Sequence, residues 1–243
     1  MSVRRVVYFS ILALILVAAA MHMVHLRADF PNSTPWGDEV GKITDEGWWA
    51  NGAVRAHLQG SWNVPGDYSP APSDPVWPAL LWCLFCFTGV SLQAARGLAV
   101  AAYFCSLWMT FLLLRKRMPI WAACLALALL VTSPYLYCFT RLALLEPLLT
   151  TLTLAGISLA LRLPKYRHPV AVSVVVGLIC ALLMLTKPTA AFLFPAIAAA
   201  VLQPLWGQRK LALRCAATVV AWSRTAGTEV TSQKHPRVAG PIR

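Results

Sequence analysis

Acidic side chains are scarce in this 243-residue chain: nine Asp and Glu stand against 21 Lys and Arg. Seven of the nine lie between Asp29 and Asp74 (Asp29, Asp38, Glu39, Asp45, Glu46, Asp67 and Asp74), and only Glu146 and Glu229 follow. Charge of either sign is sparse, at 12% of residues against 58% hydrophobic, which excludes a soluble domain. The basic residues come as short clusters between apolar runs, which excludes a solvated basic face for nucleic acid. The acidic loop has no cysteine and therefore no disulfide framework. Cys83 and Cys86 have C-x-x-C spacing, but no Gly, Pro or His flanks them. With the other five cysteines, at 105, 124, 138, 180 and 215, they read as small buried hydrophobes.

Long apolar runs are what the chain does have. The first, Val6 to Leu26, is long for a signal peptide and ends without a small-residue cleavage site, so it reads as an uncleaved span. Arg4-Arg5, Arg115-Lys116-Arg117, the Arg162, Lys165 and Arg167 cluster, and the Arg209, Lys210 and Arg214 cluster fall on one side if they are cytoplasmic. That assignment puts the N-terminus in the cytoplasm and the acidic loop outside. The parity then requires that 75–91 not cross. Pro75 and Pro78 suit a helix's first turn, and Trp77, Trp82, Phe85 and Phe87 suit a helix lying at the interface. The remaining spans are expected at about 96–114, 119–138, 147–161, 169–186 and 190–206. The expected fold is therefore all-α: a polytopic membrane protein of about six transmembrane helices, with a possible truncated seventh.

Its parts are a first segment and span over 1–26, an acidic loop with juxtamembrane helices over 27–95, a transmembrane bundle over 96–222, and a polar, disordered tail over 223–243. The tail has the composition expected of a truncated or frame-shifted product.

This topology gathers three polar sites on the outer face. In the first, Asp45-Glu46 opens a stretch that reads as a helix from Glu46 to Gln59, with Ala50, Ala53, Val54 and Leu58 near one face. Thr44 or Asp45 can cap it, and a capped surface helix is the simplest reading. The chemical reading makes one carboxylate a general base, its neighbour an orienting group or cation ligand, and Trp48-Trp49 a stacking wall. In the second, Arg141 and Glu146 stand five apart at a span boundary, as a neutralising pair, as two snorkelling side chains, or as part of the site. In the third, Lys187 follows an uncharged span. A snorkelling anchor and a phosphate ligand both fit, and Arg96 is of the same kind. His22 and His25 read as interfacial, and His57 lacks a second histidine at ligand spacing. Asn32-Ser33-Thr34 matches a glycosylation acceptor pattern, which matters only in a eukaryotic host.

Four elements in this order resemble the GT-C class of membrane glycosyltransferases, of the protein O-mannosyltransferase and aminoarabinose transferase-like kind. They are the loop Thr44 to Ala53 with Gly60 following, the proline-rich approach Tyr68 to Pro78, the Arg141 to Glu146 element, and Leu185-Thr186-Lys187-Pro188. The resemblance covers roughly residues 5–210, about half of such an enzyme, so the chain is expected to be an N-terminal fragment. It implies transfer of a sugar from a polyprenyl-phosphate donor to a lipid, glycan or protein acceptor outside a bacterial inner membrane. It gives catalytic roles to Asp45 as base, Glu46 and Glu146, and donor-phosphate contacts to Lys187, Arg141 and Arg96. Trp48, Trp49 and Tyr68 would stack on substrate. No cofactor is implied with certainty, although the acid cluster permits a divalent metal. Many relatives carry a basic residue before the prolines where this chain has Ser73-Asp74-Pro75, so Lys187 or Arg96 would have to serve donor phosphate here. A transporter or lipid flippase is the alternative, and a non-catalytic membrane subunit a third. Against transport, the predicted spans lack a central carboxylate.

Overall fold

The computed structural model describes residues 3–27, 45–63 and 70–233, without the side chains of 3–8 and 223–233. Tyr68, the glycosylation pattern at 32–34, and Asp29, Asp38, Glu39 and Asp67 lie outside the described residues. Among the described residues the secondary structure is entirely helical, with no strand. The chain is an all-α membrane protein.

Ten α-helices follow one another among the described residues: α1 (Val3–Met23), α2 (Glu46–Gln59), α3 (Val76–Thr88), α4 (Leu92–Leu114), α5 (Ile120–Val131), α6 (Pro134–Thr140), α7 (Glu146–Ala160), α8 (Pro169–Thr186), α9 (Phe194–Leu202) and α10 (Arg209–Gln233). Helix α2 has the bounds expected from the sequence, and Gly60 ends it at φ +70°, a conformation that costs a residue without Cβ little. Its expected apolar face is only partly used: Ala53 is fully buried but Leu58 is exposed. Pro75 precedes α3 and Pro78 sits in its first turn, as expected for a 13-residue helix too short to cross. Ser91, in extended conformation, caps α4 by accepting from the Ala94 amide at 3.3 Å. This cap starts α4 before residue 96, so Arg96 lies inside the helix and not in the loop ahead of it.

The expected span at 119–138 is two helices bent by 62°. Pro134 has no amide hydrogen and holds Ser133 extended, so the helix stops and Ser133 caps a new one. The expected span at 190–206 is likewise composite. 3-10 turns at Pro188–Leu193 and Gln203–Leu205 flank α9, with prolines at 188, 195 and 204 marking the starts.

By length and composition, three helical stretches among the described residues can cross a membrane: Leu92–Leu114, Pro169–Thr186 and Pro188–Leu205. The bent pair makes four. Within α1, whose helix runs 21 residues, and within α7, the described apolar stretches Phe9–Met23 and Glu146–Ala160 are shorter. Helical backbone continues in α10 to Gln233, past the point where a disordered tail was expected. No proline interrupts it before Pro236. Cys83, Cys86 and Cys105, expected buried, are exposed on apolar helix surfaces, whereas Cys180 and Cys215 are buried.

The chain divides into two compact units, 1–50 with 81–151, and 51–80 with 152–243. In the first, Tyr103, Leu107, Leu127 and Val131 form a core against which Ile15, Ala18 and Ala19 of α1 pack. In the second, α8 and α10 form the main contact. Gly177 makes that approach close: a Cβ there would lie 2.7 Å from Trp222 Cβ and 3.3 Å from Val219 Cα. Gly177→Ala is expected to cost about 1–3 kcal/mol through overpacking. Thermal unfolding of the detergent-solubilised chain measures it, and an unchanged midpoint contradicts this packing.

Candidate functional site

Helix α1 ends in a turn whose His25 has φ +53°, in the left-handed region L side chains rarely adopt. The turn presents the carbonyls of Val24, His25 and Leu26, which no further helical turn satisfies. Two arginines from distant sequence take them. Arg96 of α4 donates from Nη1 to the Leu26 carbonyl at 2.7 Å. Arg141, just after α6, donates from Nη2 to the Val24 carbonyl and to that of His25 at 3.0 Å. Its guanidinium also bonds the Tyr137 hydroxyl and lies 4.7 Å from the centre of that ring. Both cations thus stand at the negative end of the α1 dipole.

Arg96 also donates to Glu46. Nε reaches Oε1 at 2.8 Å and Nη2 reaches Oε2 at 2.7 Å, a bidentate pair in which Arg96 is 2% and Glu46 7% exposed. The Ala143 amide also donates to Glu46 Oε1 at 2.6 Å. One carboxylate therefore joins the end of α1, the start of α2, α4 and the segment between α6 and α7. On α1, His22 is fully buried, stacked on Tyr103 at 5.2 Å and edge-on to Tyr137 at 5.1 Å. Its Nδ1 lies 2.9 Å from the Ala18 carbonyl.

Asp45 immediately precedes α2 and is exposed, while its backbone carbonyl accepts from the Trp49 amide at 3.0 Å. Trp48 is 41% exposed and Trp49 half-buried on the first turn of α2. Glu146 opens α7 and is exposed, three residues beyond the Ala143 amide. The first unit thus brings Glu46, Arg96 and Arg141 to the end of α1, with Asp45 and the Trp pair at the start of α2 and Glu146 at the start of α7.

The family resemblance implies donor-phosphate contacts for Arg96 and Arg141 and a catalytic role for Glu46. The structure gives all three internal partners. It also replaces the simple Arg141–Glu146 pairing, since Arg141 turns to the end of α1. A 50-residue separation between Glu46 and Arg96 carries no local sequence signal. The one available hint was a lone arginine near the start of an apolar run.

Lys187 belongs to the second unit, where it ends α8 half-exposed. Its φ of −162° and ψ of 123° are extended because Pro188 follows, and its amide donates to the Leu183 carbonyl at 3.0 Å. No group of three or more His, Cys, Asp or Glu side chains converges as a metal site among the described residues.

The model of one family, dolichyl-phosphate-mannose-protein mannosyltransferase, matches residues 70–223. The chain belongs to this family. It is an integral membrane protein and a glycosyltransferase of the GT-C type. No curated protein and no solved structure matches the chain. The family match includes Arg96, Arg141, Glu146 and Lys187, and begins after Asp45-Glu46.

Removing one partner of a buried, hydrogen-bonded ion pair strands the other charge, at a cost of about 3–5 kcal/mol. Arg96→Met is expected to lose about that much stability. Glu46→Leu combined with Arg96→Met is expected to recover at least about 1 kcal/mol of it, because no charge is left buried. Unfolding midpoints of the wild type, of Arg96→Met and Glu46→Leu alone, and of the double variant test this. Additive losses would mean that the two side chains do not interact.

Proposed function

We propose that this glycosyltransferase moves a sugar from a polyprenyl-phosphate donor to a hydroxyl-bearing acceptor on the extracytoplasmic side, with Asp45 as general base. The observation that carries the reading is the division of labour in Asp45-Glu46. Glu46 is buried and committed to Arg96 and Ala143, whereas its neighbour is exposed at the same helix start. Glu46 then acts as a positioning residue: its bonds fix where Asp45 sits.

In this mechanism the acceptor hydroxyl attacks the anomeric carbon while Asp45 takes its proton. The bond from the anomeric carbon to the phosphate oxygen breaks, and polyprenyl phosphate leaves with the electron pair. A single displacement inverts the anomeric centre. Trp48 offers an exposed aromatic face for the sugar, with Trp49 beside it, and Glu146 is the second acidic group. Arg96 and Arg141 hold the framework through their bonds to Glu46 and to the end of α1. The proposal for Lys187 as a phosphate contact rests on its place in the Leu185 to Pro188 motif and on its extended backbone.

Asp45→Asn is expected to lower kcat by about 10²–10⁴-fold, the usual worth of a general base, without moving the unfolding midpoint. The assay is transfer from a polyprenyl-phosphate mannose to a serine-containing peptide by the reconstituted full chain, scored only if the wild type turns over. Full turnover by the Asn variant would remove Asp45 from the base role. For Lys187→Gln the expected change is a raised KM for the donor with the acceptor KM unmoved.

A further inference from the structure

The second unit carries a basic cluster at one end, to which the proposed mechanism assigns no role. The 3-10 turns at Leu163–Lys165 and Gln203–Leu205 pack against each other, with Leu163 and Leu205 fully buried. Around this apolar pin stand Arg162, Lys165, Arg167, Arg209 and Lys210, all exposed except the half-buried Arg162. The sequence from Pro147 to Thr228 contains no Asp or Glu, so these cations have no acid close to them in sequence. An open groove of about 680 Å³ runs along Trp206, Gly207, Gln208, Arg209, Lys210 and Leu211, with Trp206 82% exposed.

The depth of this cluster in a bilayer follows from its neighbours. The candidate span Pro169–Thr186 starts two residues after Arg167, and Pro188–Leu205 ends directly before Trp206. Cations and an exposed tryptophan at the ends of two spans lie at the level of lipid headgroups, where Trp favours the interface and Lys and Arg meet phosphate.

We propose that this end binds the headgroup phosphate of an anionic phospholipid, with Lys165, Arg209 and Lys210 as the principal contacts and Trp206 packed on the lipid glycerol region. Charge complementarity selects this occupant. Each Lys or Arg near an anionic surface is worth about fivefold in affinity, so three together make a preference that zwitterionic lipid cannot match.

The test titrates the detergent-solubilised full chain with phosphatidylglycerol, phosphatidylcholine or inorganic phosphate while following its unfolding midpoint. Phosphatidylglycerol is expected to raise the midpoint saturably and phosphatidylcholine not to. K165Q/R209Q/K210Q is expected to need at least about tenfold more phosphatidylglycerol. The charge-retaining K165R/K210R should titrate like the wild type, as should R115Q/K116Q/R117Q, which alters a basic cluster of the first unit. Equal response to the two lipids would overturn the proposal. So would an unshifted titration of the triple variant, or inorganic phosphate replacing the lipid, which would make this a site for the free anion.

Discussion

The ion pair between Glu46 and Arg96 is the interaction on which the first unit depends. A charge on the fifth residue of an apolar helix lies about 6 Å along its axis, and hydrocarbon tolerates it only when it is paired. Arg96 meets that requirement with both oxygens of Glu46 and the Leu26 carbonyl, and Glu46 takes a further bond from Ala143. Arg141 closes the same end of α1 from another direction. The left-handed turn at His25 exposes the carbonyls that the two arginines bind, so an unusual backbone and two buried cations explain each other.

The same pair ties together two parts of the chain that sequence comparison treats differently. The mannosyltransferase family match starts at residue 70 and so contains Arg96 but not Glu46. The acid that precedes the match is bound by an arginine within it. A loop whose first turn is fixed in this way can hold an exposed carboxylate and an exposed indole in a defined place, as group transfer requires. A capped surface helix, the simplest reading of the local pattern, does not require a buried glutamate at its start.

Elements with local causes were legible in the sequence. The bounds of α2 and α8 follow from composition and from Gly60, Pro169 and Pro188, and the short α3 follows from Pro75 and Pro78. The break at Ser133-Pro134 was equally local, but hydropathy averaged over a window spans it. The helical backbone of α10 extends further into polar sequence than hydropathy suggested, because polarity alone does not end a helix. The acidic loop was legible as the place for chemistry, and the roles within it were not. Which of Asp45 and Glu46 is committed depends on partners 50 and 97 residues away, beyond the reach of spacing.

Hydrogen–deuterium exchange of the full chain in a lipid nanodisc, compared with Arg96→Met, tests the central claim most directly. If the Arg96 network holds the end of α1 and the start of α2, exchange should rise at residues 22–27 and 45–50. The amides of α8 should keep their protection. Unchanged exchange in both segments, or an equal rise across α8, would contradict it.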